Sequence, residues 1–207
     1  LNKNFYKGET MFRWTIDKEM HFEFGHRVYT QELNQEFSLC SKLQCRQLHG
    51  HSGLLKVFLA ANELNNYMVT DFKHLKIFEK FIDDTIDHRF VMGINDPLRF
   101  NILPEIFENK NDKTLIYHAD YDYYTPNMEY FKPKYNDKDP RELAILEKLE
   151  GMVFVDFCPT SERLCQWWLE IADKMLAPLG VDVVRVEYWE TKKSHCAYIN
   201  PKFLKQS

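Results

Sequence analysis

The chain has 207 residues, of which 44% are apolar, 28% charged and 15% aromatic, and its formal net charge is -4. That length fits one globular domain with a sizeable core, and the composition is too apolar for general disorder. The mild acidity and the lack of a long Lys/Arg block argue against nucleic-acid binding, no apolar run approaches the ~20 residues that cross a bilayer, and "LNKNFYKGETMFRW" lacks the apolar core of a signal peptide. A cytoplasmic protein acting on a small molecule or another protein is expected. The 5 cysteines, Cys40, Cys45, Cys158, Cys165 and Cys196, form an odd, scattered set that reads as free thiols in a reducing compartment.

In chain order, "MHFEFGHRV" sets Met20, Phe22, Phe24 and His26 at period two, so a strand there carries three apolar residues and then an imidazole on one face. A long polar loop follows. "HGHSGLLKVFLA" predicts a second strand, with His49, His51, Leu55, Val57 and Leu59 on one side. A helix is expected from about Asp71 to Ile86, capped by Thr70 or Asp71 and burying Phe72, Leu75, Phe78, Ile82 and Ile86, with Asp87 and His88 at its end. Residues 97–151, rich in Tyr, Asn, Asp, Lys and Pro, read as an insertion holding a short helix, "DPRELAILEKLE". The apolar "MVFVDF" comes next. A second long helix starts at Thr160 or Ser161, has Glu162 at its positive end, buries Leu164, Trp168, Ile171, Ala172 and Met175, and stops at Gly180. Two strands joined by a turn near Thr191 to Ser194 close the chain. This pattern is α+β in one domain spanning 1–207, with helices on one face of an antiparallel sheet and the insertion between them.

The chemistry gathers around "CRQLHGH". Three imidazoles from two neighbouring strands, His26, His49 and His51, suit Zn²⁺, which accepts nitrogen ligands in tetrahedral geometry. Period-two spacing aims both rings of His-Gly-His the same way, and the glycine is expected to leave space beside the metal. Cys45 has two readings that spacing does not separate: a fourth ligand closing a structural site, or a reactive thiolate beside an open one. Asp87-His88 has the composition of a proton-transfer dyad, in which an acid orients and charges an imidazole. Val184, Val186, Tyr188 and Glu190 share a strand face, so Glu190 ends an apolar row, where its two oxygens match the adjacent N–H and amino groups of a guanine or pterin ring.

His26, "CRQLHGH", "MVTDF", "DHRF", "PTSE" and "WET", in this order, resemble the 6-pyruvoyl-tetrahydropterin synthase / 6-carboxy-tetrahydropterin synthase family over about residues 12–96 and 152–199. The resemblance implies a tunnelling fold, with a four-stranded antiparallel sheet and two helices per subunit, and a homohexamer of two trimers. It matches His26, His49 and His51 to zinc ligands, Cys45 to the catalytic cysteine, Asp87 and His88 to the acid-histidine pair and Glu190 to the pterin anchor. Thr160, Ser161 and Glu162 match a segment lining the pterin pocket, and Asp71 a structural helix-start residue. The C-x-x-x-H-G-H spacing resembles the carboxy-forming branch of queuosine biosynthesis, which converts 7,8-dihydroneopterin triphosphate to 6-carboxy-tetrahydropterin with loss of acetaldehyde and triphosphate. Two alternatives stand beside it: the pyruvoyl-forming elimination, and a zinc-containing pterin or guanine binder without catalysis. The long loop before Cys45 and the insertion depart from the compact members.

Overall fold

The structure, a computed structural model, describes residues 12–108 and 112–204. Most of the N-terminal stretch weighed as a signal peptide lies outside the described residues, and among these no helix is long and apolar enough to cross a membrane.

The elements run β1 (Trp14–His26), β2 (His49–Ala61), α1 (Lys76–Thr85), β3 (Arg89–Gly93), α2 (Arg99–Ile102), α3 (Pro104–Phe107), β4 (Leu115–His118), β5 (Tyr123–Pro126), α4 (Met128–Phe131), α5 (Pro140–Glu150), β6 (Met152–Val155), α6 (Ser161–Leu176), β7 (Asp182–Thr191) and β8 (Ser194–Ile199). The α+β class stands, but the sheet differs from the four antiparallel strands expected. Among the described residues it has eight strands, in the order β4-β5-β6-β3-β1-β2-β7-β8. Two of its pairings, β1 with β3 and β3 with β6, are parallel. The extra inner strands are short continuous apolar runs, "FVM" in β3 and the wholly buried "MVFV" of β6, without the alternation that marks a half-exposed strand.

The chain divides into two compact units. One comprises the described residues up to Phe22 with Ser52–Asp84 and those from Ser161 onward. Its core rests on the expected rows: Met20 and Phe22 on β1, and Leu55, Val57 and Leu59 on β2, are at most 3% exposed. Leu75, Phe78 and Ile82 are fully buried, and Phe81 meets Trp167 of α6 edge to face. Asp71 is the cap, its carboxylate accepting from the Lys73 amide at 2.8 Å. Phe72 is exposed because the first turn, Phe72–Leu75, winds as a 3-10 helix and the α period does not reach back to it. In α6, Leu164, Trp168, Ile171 and Ala172 are buried, whereas Met175 is half-buried and Leu176 takes its place. Gly180 ends this region with a φ of 66°, which only glycine adopts without cost. On β7, Val183 rather than Val184 joins the buried row, because the register with β2 slips there: Phe58 faces Arg185 and Leu59 faces Val183.

The other unit comprises Glu23–His51 and Thr85–Thr160 and contains the insertion. The insertion is folded on a core of its own. Leu103, Ile106, Phe131, Leu146 and Leu149 pack with Met92 of β3 and Phe154 of β6, while β4 and β5 pair as a hairpin. The predicted short helix is α5, capped by Asp139, whose carboxylate accepts from the Arg141 amide at 2.9 Å. A buried pair, Arg27 Nε to Asp96 Oδ2 at 2.9 Å, ties the segment after β1 to the residues after β3.

Candidate active site

His26 ends the apolar row of β1, and His49 and His51 begin β2. Their ring centroids lie 4.6 Å (His26–His49), 5.1 Å (His26–His51) and 4.9 Å (His49–His51) apart. Each offers a ligating nitrogen, and these nitrogens all lie within 4.8 Å of one another. Two rings are oriented by backbone. His26 Nδ1 donates to the Pro159 carbonyl at 2.8 Å and His49 Nδ1 donates to the Gln47 carbonyl at 2.8 Å. A carbonyl only accepts, so both imidazoles carry their proton on Nδ1 and their lone pair on Nε2, the arrangement in which a metal-binding histidine is held by an outer partner. His26 is fully buried, and burial pushes it down to about 4, against the pull of the Pro159 carbonyl and with help from His49 and His51. It is a neutral donor at neutral pH, and the set fits a metal ion that prefers nitrogen ligands.

Gly50, between His49 and His51, lies close against the backbone of β1. A Cβ on Gly50 would stand 3.0 Å from the Phe24 carbonyl oxygen, and one on Gly25 only 2.4 Å from the Phe90 ring. Both glycines let neighbouring backbone and side chains approach where the histidines converge.

Cys45 sits on a single 3-10 turn, Gln44–Arg46, and is half-buried. Among the described residues the metal-competent group consists of the three imidazoles and does not include its thiol. Its amide donates to Gln31 Oε1 at 3.0 Å, and its carbonyl accepts from the Val28 amide at 2.7 Å. Cys40 is exposed in the same loop.

Asp87 and His88 do pair: His88 Nδ1 donates to Asp87 Oδ2 at 2.8 Å, and the Glu23 amide donates to Asp87 Oδ1 at 2.8 Å. Burial alone would raise the Asp87 carboxyl, but the bonds from Glu23 and His88 outweigh it and leave it below the usual carboxylate range. His88 has a φ of 57°, a left-handed conformation that costs a non-glycine residue roughly 1–2 kcal/mol. Its amide, donating to the Glu23 carbonyl at 2.6 Å, holds that turn, and its ring is exposed.

Glu190 is half-buried at a break in the β7–β8 register, where Trp189 faces His195 and Thr191 faces Ser194. Such a bulge re-aims a side chain. Ser161, the first residue of α6, donates its hydroxyl to Glu190 Oε1 at 3.1 Å. Glu162 is exposed in the first turn of α6, and the Thr160 amide donates to the Cys158 carbonyl at 2.7 Å just before it. Lys192 and Lys193 are exposed in the hairpin turn.

The structure thus gathers the three histidines and pairs Asp87 with His88 and Glu190 with Ser161. The groups that orient them carry no mark in the amino-acid order. Pro159 and Gln47 act through carbonyls that every residue possesses, Glu23 through its amide and carbonyl, and Gln31 through a side chain remote in sequence from the thiol.

The chain is similar to known proteins over most of its length. The family model of 6-pyruvoyl tetrahydropterin synthase matches residues 15–201. A 6-carboxy-5,6,7,8-tetrahydropterin synthase of Aquifex aeolicus is 31% identical over 198 residues, covering 90% of this chain and 98% of that one. The protein of the same name from Rickettsia felis is 30% identical over 81 residues, 38% of this chain and 51% of that one. The crystal structure of an uncharacterized protein from Wolinella succinogenes superposes with a TM-score of 0.80 at 41% identity, covering 90% of this chain and 98% of that one.

Proposed function

The chain belongs to the 6-pyruvoyl tetrahydropterin synthase family, a family of lyase-type enzymes, and on that premise we propose that it is a zinc-dependent 6-carboxy-tetrahydropterin synthase. In this reading it converts 7,8-dihydroneopterin triphosphate to 6-carboxy-tetrahydropterin with release of acetaldehyde and triphosphate, a step towards queuosine and related deazaguanines. The observation that carries it is the convergence of His26, His49 and His51, two of them locked by carbonyls, in a metal-competent group that leaves out the Cys45 thiol. The similarity to the Aquifex aeolicus enzyme over 90% of the chain, together with the C-x-x-x-H-G-H spacing, supports the carboxy-forming branch.

His26, His49 and His51 would hold the zinc ion. Bound there, zinc supplies Lewis acidity to the hydroxyls of the substrate side chain. Cys45, as thiolate, takes up a proton from that side chain. His88 exchanges a proton at Nε2, because its Nδ1 proton is committed to Asp87, which steadies the imidazolium when it forms. Glu190, aligned by the Ser161 hydroxyl, accepts the paired N–H donors of the pterin ring, and Thr160 and Glu162 belong to the same pterin-binding segment. Orientation of this kind is worth several kcal/mol of barrier. We further assign the chain to the cytoplasm and to a homohexamer of two trimers.

The test is product analysis with dihydroneopterin triphosphate. Acetaldehyde and 6-carboxy-tetrahydropterin in equal amounts are expected. A pyruvoyl product without acetaldehyde would move the chain to the elimination reaction, and ring binding without turnover would make it a binder.

A further inference from the structure

Residues 27–48 join β1 to β2 and carry the thiol, and a segment of that length with a single 3-10 turn has little of its own to fix Cys45. The structure supplies a clamp from the residues directly after His26. The Gln31 amide donates to the Val28 carbonyl at 3.1 Å, closing a turn over Val28–Gln31. From this turn the Val28 amide donates to the Cys45 carbonyl at 2.7 Å, and Gln31 Oε1 accepts from the Cys45 amide at 3.0 Å. Both backbone groups of the thiol-bearing residue are therefore held by one turn, from opposite sides of its α-carbon. The same turn has a second anchor. The Thr30 hydroxyl donates to Cys158 Sγ at 3.2 Å, and Cys158 precedes Pro159, whose carbonyl orients His26.

We propose that Gln31 is a positioning residue that fixes the Cys45 thiol relative to the histidine cluster, acting through the Cys45 backbone and touching neither substrate nor metal. The inference rests on the reading of Cys45 as the reacting thiol. The Val28 bond is backbone to backbone and survives substitution, so Gln31 alone supplies the side-chain half of the clamp. Without it the Cys45 amide loses its acceptor, and Cys45 gains freedom to pivot about its carbonyl. A shift near 1 Å at a reacting group costs on the order of a hundredfold in rate.

The experiment compares Gln31→Met, which keeps length and volume but has no acceptor oxygen, with Gln31→Glu, which restores one, in the zinc-loaded enzyme. Gln31→Met is expected to lower kcat by about tenfold to a hundredfold, with KM within about threefold, zinc content unchanged and the Tm within ~2 °C of the parent. Its Cys45 should also change its rate of alkylation by iodoacetamide, which a purely structural role elsewhere would not move. Gln31→Glu should recover most of the kcat. Unchanged kcat and alkylation rate in Gln31→Met would overturn the proposal, as would a parallel loss in Gln31→Glu. Cys45→Ala, run alongside, separates the two readings: if it keeps turnover, Cys45 is not the reacting thiol, whereas if it is inactive and Gln31→Met is not impaired, the clamp alone is wrong.

Discussion

Replacing Asp87 by Asn tests the dyad without dismantling its frame. Asp87 uses one oxygen for the Glu23 amide and the other for His88 Nδ1, each at 2.8 Å. Asn keeps an oxygen for Glu23 but turns an NH₂ group towards His88, and two donors cannot face each other. The imidazole must switch its proton to Nε2, the atom proposed to exchange a proton with substrate. General acid-base catalysis contributes 10²–10⁴-fold, and the exposure of the pair, 78% for the His88 side chain and 31% for that of Asp87, points to the lower end. A loss of about 10² in kcat, equivalent to about 3 kcal/mol of barrier, is expected, with KM little changed. The protein should stay folded and hold its metal. Asp87→Ala, which removes the acceptor of the Glu23 amide as well, should in addition cost about 1 kcal/mol of stability, or about 2–4 °C in Tm. Steady-state kinetics with dihydroneopterin triphosphate and a thermal melt read both effects. An Asp87→Asn enzyme with kcat within threefold of the parent would refute the dyad.

Three further outcomes follow from the geometry. Cys45→Ala should retain about one zinc per chain by elemental analysis and lose turnover, whereas loss of zinc would make the thiol a ligand. The metal-free chain should weaken as pH falls, because His26 is held near 4 when folded while its ordinary value is 6.5. Its contribution is complete above pH 6.5 and declines towards pH 4 by about 3 kcal/mol, read by urea unfolding in a chelator, and His26→Gln should flatten that slope. Phe131→Ala, at a site 1% exposed, should cost about 3–5 kcal/mol by calorimetry, and a cost below about 1 kcal/mol would mean that the insertion does not fold on the core described.

Much of the fold is legible where one periodicity dominates. Met20 to His26 and Leu55 to Leu59 alternate cleanly, so both strands and the direction of their imidazoles follow from counting by two. Legibility ends where another constraint intervenes. Phe72 and Val184 are apolar residues at the expected spacing, yet a 3-10 turn moves the first into solvent and a register slip replaces the second by Val183. The inner strands β3 and β6 are too short and uniformly apolar to declare a period. The candidate imidazoles, thiol and carboxylates stand out by side-chain chemistry. Their supports do not, because the Pro159 and Gln47 carbonyls are set by tertiary position alone.

The insertion's core has a consequence for how such a chain can change. Met92 and Phe154 belong to that core, and β3, which carries Met92, lies beside β1 with Val91 opposite His26. Excising residues 97–151 would strip the cover from a strand that borders His26. Any shortening of the segment would leave Met92 and Phe154, both fully buried in the intact chain, without their apolar cover unless another group replaces it.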